Sequence, residues 1–288
     1  MGDVMKHEIE RVMELTGAAE KQIELHDDGY WSRAYVVNGG EFVVKFPKYD
    51  IVSYENEARF LNIVNTMPLP ISVQKLKWLA EDKRCIVVYG VMGTPLSKLE
   101  NLSIEQKQSI GKQIGAFLKL LHSLKPDYSG QNLDDEILEY QKCYADCVDF
   151  FSKHFSKEEQ KSLDYLIYNY LPSLRKSLGE NLVFSHADIW EPNIFIDEHG
   201  VVGIIDCNNA GYFDDAADFV VEDEALRGFI LDHYGASETL YKKSEIKYDM
   251  STITSPKFGI PLWGESFIIE KWIPLIRKVI SKYKHQIS

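Results

Sequence analysis

The sequence predicts a mixed α/β protein of two lobes, a small strand-rich one followed by a larger, mainly helical one. Up to about Gly93 the chain alternates strand-like runs with turn residues, whereas beyond it apolar residues recur at helical spacing. One strand-rich stretch, from LVFSHAD to VVGIIDC, interrupts the helical part. We therefore expect a first lobe over 1–92 and a second over 93–288, with the chemistry on the interruption, where short strands display polar residues at their ends.

The first lobe is predicted to contain a small sheet and one helix. The β-rich runs WSRAYVV and EFVVKFP flank the turn Asn38-Gly39-Gly40, a pattern typical of a hairpin. A helix is expected through SYENEARFLNIV, and two more strands through VQKLKWLA and RCIVVYGVM. Together these segments form a small sheet with one helix beside it.

The second lobe opens on strong helix signals. Ser103 and Gln106 form a capping box, in which each side chain bonds the other residue's backbone N–H. The apolar residues that follow recur on one face of a helix: Ile110, Ile114, Phe117, Leu118 and Leu121. Ser156 and Glu159 form a second capping box ahead of a helix through LDYLIYNYLPSL. The second lobe is therefore predicted to be mainly helical.

Composition and charge narrow the class of partner. With 288 residues, 45% hydrophobic and 26% charged, the chain has the make-up of an ordinary soluble protein with a proper core. Its formal charge of −12 repels the phosphate backbone of nucleic acids, so no nucleic-acid partner is expected. The charge favours a cationic partner, or it serves solubility alone.

Other sequence features bear on location and assembly. No stretch is long and apolar enough for a membrane helix, and the first residues lack a signal-peptide pattern, so we expect a cytoplasmic protein without a membrane partner. The four cysteines have neither zinc nor redox spacing and are expected to be reduced thiols. No repeat or coiled-coil pattern requires a second chain, so a monomer is expected.

One group of polar residues suits phosphoryl transfer. In HADIWEPN, Asp188 precedes Asn193, and Asp206 closes the apolar strand VVGII further on. Phosphoryl transfer needs a carboxylate that orients the attacking hydroxyl and accepts its proton, and oxygen ligands that hold Mg²⁺ against the triphosphate. Carboxylate and amide oxygens are the hard ligands that Mg²⁺ prefers. The pattern therefore indicates a phosphotransferase that uses a nucleoside triphosphate.

Taken together, three motifs resemble those of the aminoglycoside phosphotransferases, a family of protein-kinase-like small-molecule kinases that also includes choline, homoserine and methylthioribose kinases. The family's H-x-D-x-x-x-x-N stands as HADIWEPN, its I-I-D with the following A-G-Y-x-D-x-x-x-D as IIDCNNAGYFDDAAD, and its helix ending in Leu-His as IGAFLKLLHSL. The likeness runs from about Gly29 to Asp218, and the 2''-type members are candidate relatives. It implies a bilobal kinase-like fold, with a five-stranded antiparallel sheet and one helix in the small lobe and nucleotide between the lobes.

The resemblance also implies roles for the residues that match. Asp188 is the expected catalytic aspartate, and Asn193 and Asp206 are the expected ligands of Mg²⁺, of which two ions are expected. Lys45 matches the strand lysine that grips the α- and β-phosphates of ATP or GTP, and Glu57 matches its helix partner. From the residues alone, a lysine among Val43, Val44 and Phe46 would be costly to bury without an anion, although a lysine on an exposed edge strand is the alternative.

Several assignments keep an alternative. Glu55 is a rival to Glu57 on the same helix. The backbone at Tyr89 and Val91 is expected to meet the purine base by resemblance, whereas Tyr89 as a core residue is the other interpretation. His186 is expected to brace the catalytic loop through hydrogen bonds.

The sequence departs from protein kinases in three places. No glycine-rich loop precedes the strand lysine, Cys207-Asn208 stands where Phe-Gly would follow the metal-binding aspartate, and no A-P-E motif is present. A loop without those glycines is ordinary in the resembling family. A protein substrate is therefore not expected.

The acceptor is expected to be a small cation. Between Asp206 and Glu224 the chain has no Lys or Arg but many acidic residues: Asp206, Asp214, Asp215, Asp218, Glu222, Asp223 and Glu224. Such a run would attract a polycation such as an aminoglycoside, with Asp214, Glu222, Asp223 and Glu224 as candidate contacts. Trp263 is a candidate for stacking on an acceptor ring, or it is a large core residue. The run could instead be a solvated helix face, and Asp218 matches a family residue that ties down the catalytic loop.

Other functions remain open from the sequence. A kinase for another metabolite, such as choline, homoserine or a sugar, shares the same residues, and a degenerate kinase would bind nucleotide without chemistry. A serine hydrolase built on Ser185 and His186 would lack the G-x-S-x-G turn that displays its nucleophile.

Overall fold

The first lobe is built on an antiparallel sheet, as the sequence predicts. The computed structural model describes residues 2–27 and 29–287. Its elements up to the expected hinge between the lobes, residues 89–92, are α1 (Gly2–Thr16), β1 (Ile23–His26), β2 (Ser32–Val37), β3 (Phe42–Pro47), α2 (Glu55–Val64), β4 (Ser72–Val73), β5 (Lys75–Leu79) and β6 (Ile86–Tyr89). The sheet has the order β1-β2-β3-β6-β5 and all its pairings are antiparallel, so the predicted five-stranded sheet is confirmed. Helix α1 was not predicted.

The predicted hairpin joins β2 to β3. Asn38 and Gly39 in its turn have φ of 52° and 65°, the left-handed region that Asn and Gly adopt at low cost. The turn also touches the chain that leaves β6, because a Cβ placed on Gly90 would lie only 2.0 Å from the Gly40 carbonyl oxygen. Glycine at position 90 therefore lets the hairpin lie against the hinge between the lobes.

The second lobe is mainly helical, which confirms the prediction. Its elements are β7 (Thr94–Pro95), α3 (Ile104–Ser123), α4 (Leu133–Ala145), α5 (Val148–His154), α6 (Lys157–Tyr165), α7 (Leu171–Ser177), β8 (Leu182–Ser185), β9 (Ile194–Asp197), β10 (Gly200–Ile204), β11 (Gly211–Asp214), α8 (Glu224–Tyr234), α9 (Glu238–Thr254), α10 (Pro256–Trp263), α11 (Glu265–Lys282) and α12 (Lys284–Ile287). Both predicted capping boxes are formed, at the starts of α3 and α6. The apolar face predicted for α3 is buried in the core.

The helix predicted through LDYLIYNYLPSL is not continuous. Between α6 and α7 the residues Leu166–Tyr170 form a π-helical turn, and Pro172 lies just beyond it. Proline has no N–H to give to the helix, and its ring crowds the carbonyl four residues earlier, so the regular α-helical hydrogen bonds are interrupted here.

Two small sheets carry the strand-rich stretch of the second lobe. Strands β9 and β10 form an antiparallel pair within the order β4-β10-β9-β7, and β8 pairs with β11. Ser72 of β4 pairs with Gly203 of β10, so a strand that precedes the hinge joins a sheet of the second lobe. The division of the chain at 92/93 therefore stays a prediction.

One hydrophobic core extends across both lobes. It includes Phe60 and Leu61 from α2, Ile114 and Phe117 from α3, and Ile194 from β9, all of them fully buried. All four cysteines are buried and free. No helix among residues 2–27 and 29–287 is long and apolar enough to cross a membrane.

A buried group of charges fastens the end of β11 to two helices. Lys243 of α9 lies 2.9 Å from a carboxylate oxygen of Asp214 and 3.0 Å from one of Asp215, and Arg175 of α7 also contacts Asp214. The backbone N–H of Asn181 donates to Asp214 at 3.0 Å. Because the ions pair with one another in the interior, the network holds together only as a whole.

Removing one partner from this network should be costly. Lys243→Met leaves Asp215 buried without its ammonium partner and Asp214 with Arg175 alone, so we expect the free energy of unfolding to fall by about 3–5 kcal/mol, measured by urea denaturation. Lys242→Met is the matched control, since Lys242 is exposed and pairs with Glu238 on the helix surface, and it should change stability by less than about 0.5 kcal/mol. Equal effects of the two substitutions would contradict a structural role for the network.

Candidate active site

Lys45 lies between two carboxylates at a point where the two lobes meet. It lies on β3, which pairs on both sides, with β2 and with β6, so it is not a lysine on an exposed edge strand. Its Nζ is 2.8 Å from Glu57 Oε1 and 3.1 Å from Asp206 Oδ1. Glu57 comes from α2 and is fully buried, whereas its rival Glu55 is exposed. The structure therefore brings together Lys45, Glu57 and Asp206 from three separate elements.

The two carboxylates beside Lys45 differ in electrostatics. Proximity to the Lys45 ammonium holds the pKa of Asp206 below its ordinary value, although burial opposes this. Burial raises the pKa of Glu57 despite the same ammonium. The two carboxylates raise the pKa of Lys45, so it stays charged. The Lys45 ammonium can therefore exchange one partner, the accessible Asp206 carboxylate, for a phosphate while it stays paired with Glu57.

Asp188 and Asn193 are joined directly in the loop between β8 and β9. The side-chain amide of Asn193 donates to the backbone carbonyl and to Oδ2 of Asp188, both at 3.0 Å. Burial and the negative charge of Asp206 raise the pKa of Asp188 to about 8. Asp188 therefore has the raised proton affinity that suits a carboxylate accepting a proton near neutral pH.

Asn193 and Asp206 are placed side by side by the pairing of β9 with β10. The backbone N–H of Ile205 donates to the Asn193 carbonyl at 3.0 Å, one residue before Asp206. With its amide nitrogen committed to Asp188, Asn193 has its side-chain oxygen left for a cation, and the Asp206 side chain is about half exposed at 49%. One amide and one carboxylate oxygen suit Mg²⁺, which keeps several water or phosphate ligands of its own.

Asp218 fixes the candidate catalytic loop, residues 186–193 between β8 and β9, through hydrogen bonds to its backbone. This fully buried carboxylate accepts the backbone N–H groups of His186 at 3.1 Å and Ala187 at 2.6 Å. His122, at the end of α3, lies 3.0 Å from it through Nε2 and 3.0 Å from the Tyr234 hydroxyl through Nδ1. Ala187 has φ of 62°, so this part of the loop is strained and needs such support.

His186 and Ser185 play smaller parts than the sequence suggested. The expected hydrogen bonds from the His186 ring are not well formed within the described chain. The ring interacts weakly with the Ile205 backbone and packs edge-to-face against Phe60, with ring centroids 5.9 Å apart. The loop is braced through the His186 backbone instead. Burial lowers the pKa of this histidine. The Ser185 hydroxyl is fully buried and donates to the Val183 carbonyl, so the geometry of a serine hydrolase is not formed.

The hinge residue Tyr89 is not part of the core. Its side chain is 45% exposed and its ring lies 5.3 Å from that of Phe42. Phe42 and Lys45 are three positions apart on β3, so they lie on opposite faces of the sheet. The Tyr89 side chain therefore points away from the Lys45 side, and contact of the Tyr89 and Val91 backbone with a base stays a prediction.

The acidic run after Asp206 is largely neutralised by cations from other parts of the chain. Glu222 pairs with Lys271 at 2.9 Å. Asp223 pairs with Lys107 at 2.6 Å and also caps α8. Glu224 is exposed on the first turn of that helix.

Asp214, a further carboxylate of the run, lies away from these residues. Asp214 is buried in the network with Arg175 and Lys243, where no acceptor could reach it. We therefore leave Asp214 out of the proposed acceptor site and keep Glu222, Asp223 and Glu224.

An aromatic wall, formed by Trp190, Trp263 and Phe267, stands beside the catalytic loop. The ring centroids of Trp190 and Trp263 are 6.4 Å apart, and those of Trp263 and Phe267 are 5.4 Å apart. Trp263 and Phe267 are each 41% exposed, so Trp263 is not an interior residue. Trp190 follows Asp188 by two positions and was missed in the sequence, where the wall could not be seen because α10 and α11 supply its other members.

Sequence comparison assigns the chain to a family. The sequence model of the phosphotransferase enzyme family (APH) matches residues 22–221, so the chain belongs to that family. A search among curated proteins finds no match. With its antiparallel first lobe and helical second lobe, the protein is a phosphotransferase of kinase-like fold.

Solved structures share this fold along nearly the whole chain. ADP-bound aminoglycoside phosphotransferase APH(2'')-Ib is 16% identical, with a TM-score of 0.68 and coverage of 95% of this chain and 96% of that one. A GDP and kanamycin complex of an APH(2'') enzyme is 17% identical, with a TM-score of 0.74 and coverage of 94% and 99%. Macrolide 2'-phosphotransferase MphH from Brachybacterium faecium is 12% identical, with a TM-score of 0.62 and coverage of 92% and 96%.

The ion pairs of Lys45 give a prediction about pH. Lys45→Met strands Glu57 and Asp206, so we expect a loss of about 3–5 kcal/mol in the free energy of unfolding at pH 8. Without its ammonium partner, Glu57 keeps a raised pKa in the folded state, and a raised carboxyl pKa costs stability only above the unfolded value. The loss should therefore shrink as the pH is lowered towards 5.

Urea denaturation at several pH values checks this expectation. Lys75→Met, an exposed position on β5, is the control and should show little change at any pH. A loss for Lys45→Met that is the same at pH 5 and pH 8 would show that the two carboxylates do not depend on this lysine.

Proposed function

We propose that the protein transfers the γ-phosphate of ATP or GTP to a hydroxyl of a small cationic acceptor, most plainly an aminoglycoside. The observation that carries the proposal is the meeting of Lys45, Glu57 and Asp206 at the junction of the two lobes, next to the Asp188–Asn193 pair. These are the residue types that phosphoryl transfer requires, in a fold whose solved relatives are nucleotide-dependent phosphotransferases.

The residues divide the work of the reaction. Lys45 binds the α- and β-phosphates while Glu57 keeps its ammonium in place. Asn193 and Asp206 would hold Mg²⁺, for which we propose two ions, and the bound metal would offset the negative charge of the phosphates. Asp188 orients the acceptor hydroxyl in line with the γ-phosphorus. The new O–P bond forms as the bond to the β-phosphate oxygen breaks, the proton passes to Asp188, and the nucleoside diphosphate leaves.

Two features support a ring-shaped cationic acceptor. The aromatic wall offers flat, partly exposed rings beside Asp188, which suit the apolar face of a sugar or cyclitol ring. Glu222, Asp223 and Glu224 stand at the start of α8, and the Glu191 carboxylate, one residue from Trp190, accepts the backbone N–H of Glu222 at 2.7 Å. The acidic residues thus lie next to the wall. Glu222 and Asp223 are already paired with lysines, so the exposed Glu224 is the carboxylate that most favours amino groups on an acceptor, while the wall favours a ring face.

The nucleotide and the acceptor each keep a stated alternative. Solved relatives are described with ADP, GDP and ATP, so both purine nucleotides belong to the proposal. Macrolide phosphotransferases share the fold, and the aromatic wall would also suit a bulkier, less charged acceptor. Kinases for choline, homoserine or a sugar remain the other acceptor classes.

The direct experiment is a transfer assay with mass detection of the product. The protein is incubated with Mg²⁺ and either ATP or GTP against kanamycin, gentamicin, erythromycin, choline and homoserine. One added phosphate on an aminoglycoside supports the proposal in full. Transfer only to another acceptor corrects the substrate, and nucleotide binding without transfer to any acceptor contradicts the proposed activity.

Asp188→Ala should separate chemistry from binding. The substitution removes the group that orients the hydroxyl and accepts its proton, so we expect kcat to fall by about 10²–10⁴. Because Asp188 is not placed to hold nucleotide, the Kd of the nucleotide, measured by titration calorimetry, should change little. Near-full activity in this variant would show that another group performs the step.

Trp263→Ala should weaken acceptor binding alone. Loss of a ring from the aromatic wall is expected to raise the KM of the acceptor by about tenfold, since an aromatic contact contributes roughly 0.5–1.5 kcal/mol beyond its burial. The KM of the nucleotide should stay unchanged. Tyr165→Ala, a similarly exposed aromatic residue on α6, is the matched control. If the two variants behave alike, the wall does not contact the acceptor.

A further inference from the structure

Helix α2 is fastened to the second lobe by a residue next to Glu57. The side-chain amide of Asn56 donates one hydrogen bond to the backbone carbonyl of Asn208, at 2.6 Å, and another to that of Ala210, at 2.8 Å. Both N–H groups of this amide are thus used, and both acceptors lie in the turn that directly follows Asp206. The bonds join two segments that are 152 and 154 residues apart in the sequence.

That turn needs support because the residue before it is strained. Asp206 has φ of 64°, a conformation that costs a residue other than glycine of the order of 1–3 kcal/mol and persists only where its surroundings enforce it. Cys207 is fully buried, and the Ala210 N–H closes the turn by donating to the Cys207 carbonyl at 3.1 Å. The Asn56 amide then holds the two carbonyls that this turn presents to α2.

Residues of α2 therefore hold both the side chain of Asp206 and the backbone that follows it. Glu57 binds Lys45, and Lys45 binds the Asp206 carboxylate, at 2.8 and 3.1 Å. Asn56, one position earlier on α2, fixes the backbone on the other side of Asp206. Adjacent residues on a helix point in different directions, which allows one helix turn to reach both the strand lysine and the turn.

A second set of contacts keeps this end of α2 in place. The Tyr128 hydroxyl donates to the backbone carbonyl of Asn56 at 2.8 Å. The guanidinium of Arg59, one turn further along α2, lies 4.6 Å from the centre of the Tyr128 ring and also donates to the Asp127 carbonyl. In kinase-like proteins whose corresponding helix can swing, the lysine–glutamate pair becomes a switch. Here the helix is docked on the second lobe by the side chains of Asn56 and Arg59.

We propose that Asn56 is a positioning residue for phosphoryl transfer, which fixes the turn after Asp206 so that its carboxylate is held in one arrangement for binding the metal. The inference rests on the proposed function, in which Asp206 is a metal ligand. It adds a residue that touches neither nucleotide nor acceptor and acts through the backbone of Asp206. Groups that orient a metal ligand commonly change metal affinity about 10- to 100-fold when they are lost.

Two substitutions at position 56 separate hydrogen bonding from packing. Asn56→Ala removes the amide. Asn56→Asp keeps its size but cannot donate, and it sets a carboxylate against two carbonyl oxygens. An acidic residue in the first turn of a helix is favourable to the helix itself, so a defect in Asn56→Asp could not come from a weaker α2. Asn62→Ala, exposed on the same helix, is the matched control.

The expected result is a selective defect in both variants. We expect kcat to fall about 10- to 100-fold, as for a small displacement of a reacting group, with the KM of the acceptor within about twofold of wild type. The Mg²⁺ concentration for half-maximal activity should rise about tenfold or more. Asn62→Ala should match the wild type in every measurement.

Two measurements do not depend on turnover. The increase in ADP affinity on adding Mg²⁺, measured by titration calorimetry, should shrink about tenfold in both Asn56 variants. The Ala210 amide should exchange its hydrogen faster, because its turn has lost its support. If the wild type transfers phosphate to no acceptor, the proposed function fails, yet these two measurements still decide the role of Asn56.

The contrary result is equally clear. If both variants keep kcat and the effect of Mg²⁺ within about twofold of wild type, Asn56 is not a positioning residue, even if the melting temperature falls.

Discussion

The architecture of the site depends on one buried ammonium group. Lys45 Nζ lies between Glu57 and Asp206, and its side chain is only 9% exposed. A charge taken this far from water must be paired, so β3, α2 and the turn after β10 have to meet at one point. The contact between the two lobes is therefore stabilised by this ion pair as well as by the shared hydrophobic core. In the proposed function a triphosphate would bind the Lys45 ammonium, and the accessible Asp206 carboxylate would move away from the lysine.

Much of this could be predicted from the sequence because it depends on local patterns. Turn residues indicated the β2–β3 hairpin, the capping boxes marked the starts of α3 and α6, and apolar spacing gave the buried face of α3. The motif HADIWEPN and the aspartate ending VVGII indicated residues that the fold brings together. Lys45 was conspicuous for the same local reason, since a charge among apolar strand residues has to find a partner.

What escaped the sequence depends on contacts between distant segments. The acidic run from Asp206 to Glu224 suggested an open negative surface, yet Lys107, Lys243 and Lys271 reach it from three helices. The net charge of a short sequence segment does not show which cations from distant segments lie beside it in the folded protein. The sequence did not point to Asn56 or Trp190 either. The role of Asn56 depends on the backbone carbonyls it contacts and that of Trp190 on the rings beside it, and all of these come from distant segments. The exposed carboxylate of Glu224 and the aromatic wall are what an acceptor would encounter in the proposed function.

The most direct test of this account is a crystal structure with a non-hydrolysable triphosphate and Mg²⁺. We predict that Lys45 Nζ lies within about 3 Å of oxygens of the α- and β-phosphates while still bonded to Glu57. We also predict that the Asp206 carboxylate has moved from the lysine to the metal, next to the Asn193 side-chain oxygen. A nucleotide bound elsewhere, or phosphates that leave the lysine paired with both carboxylates, would contradict the account.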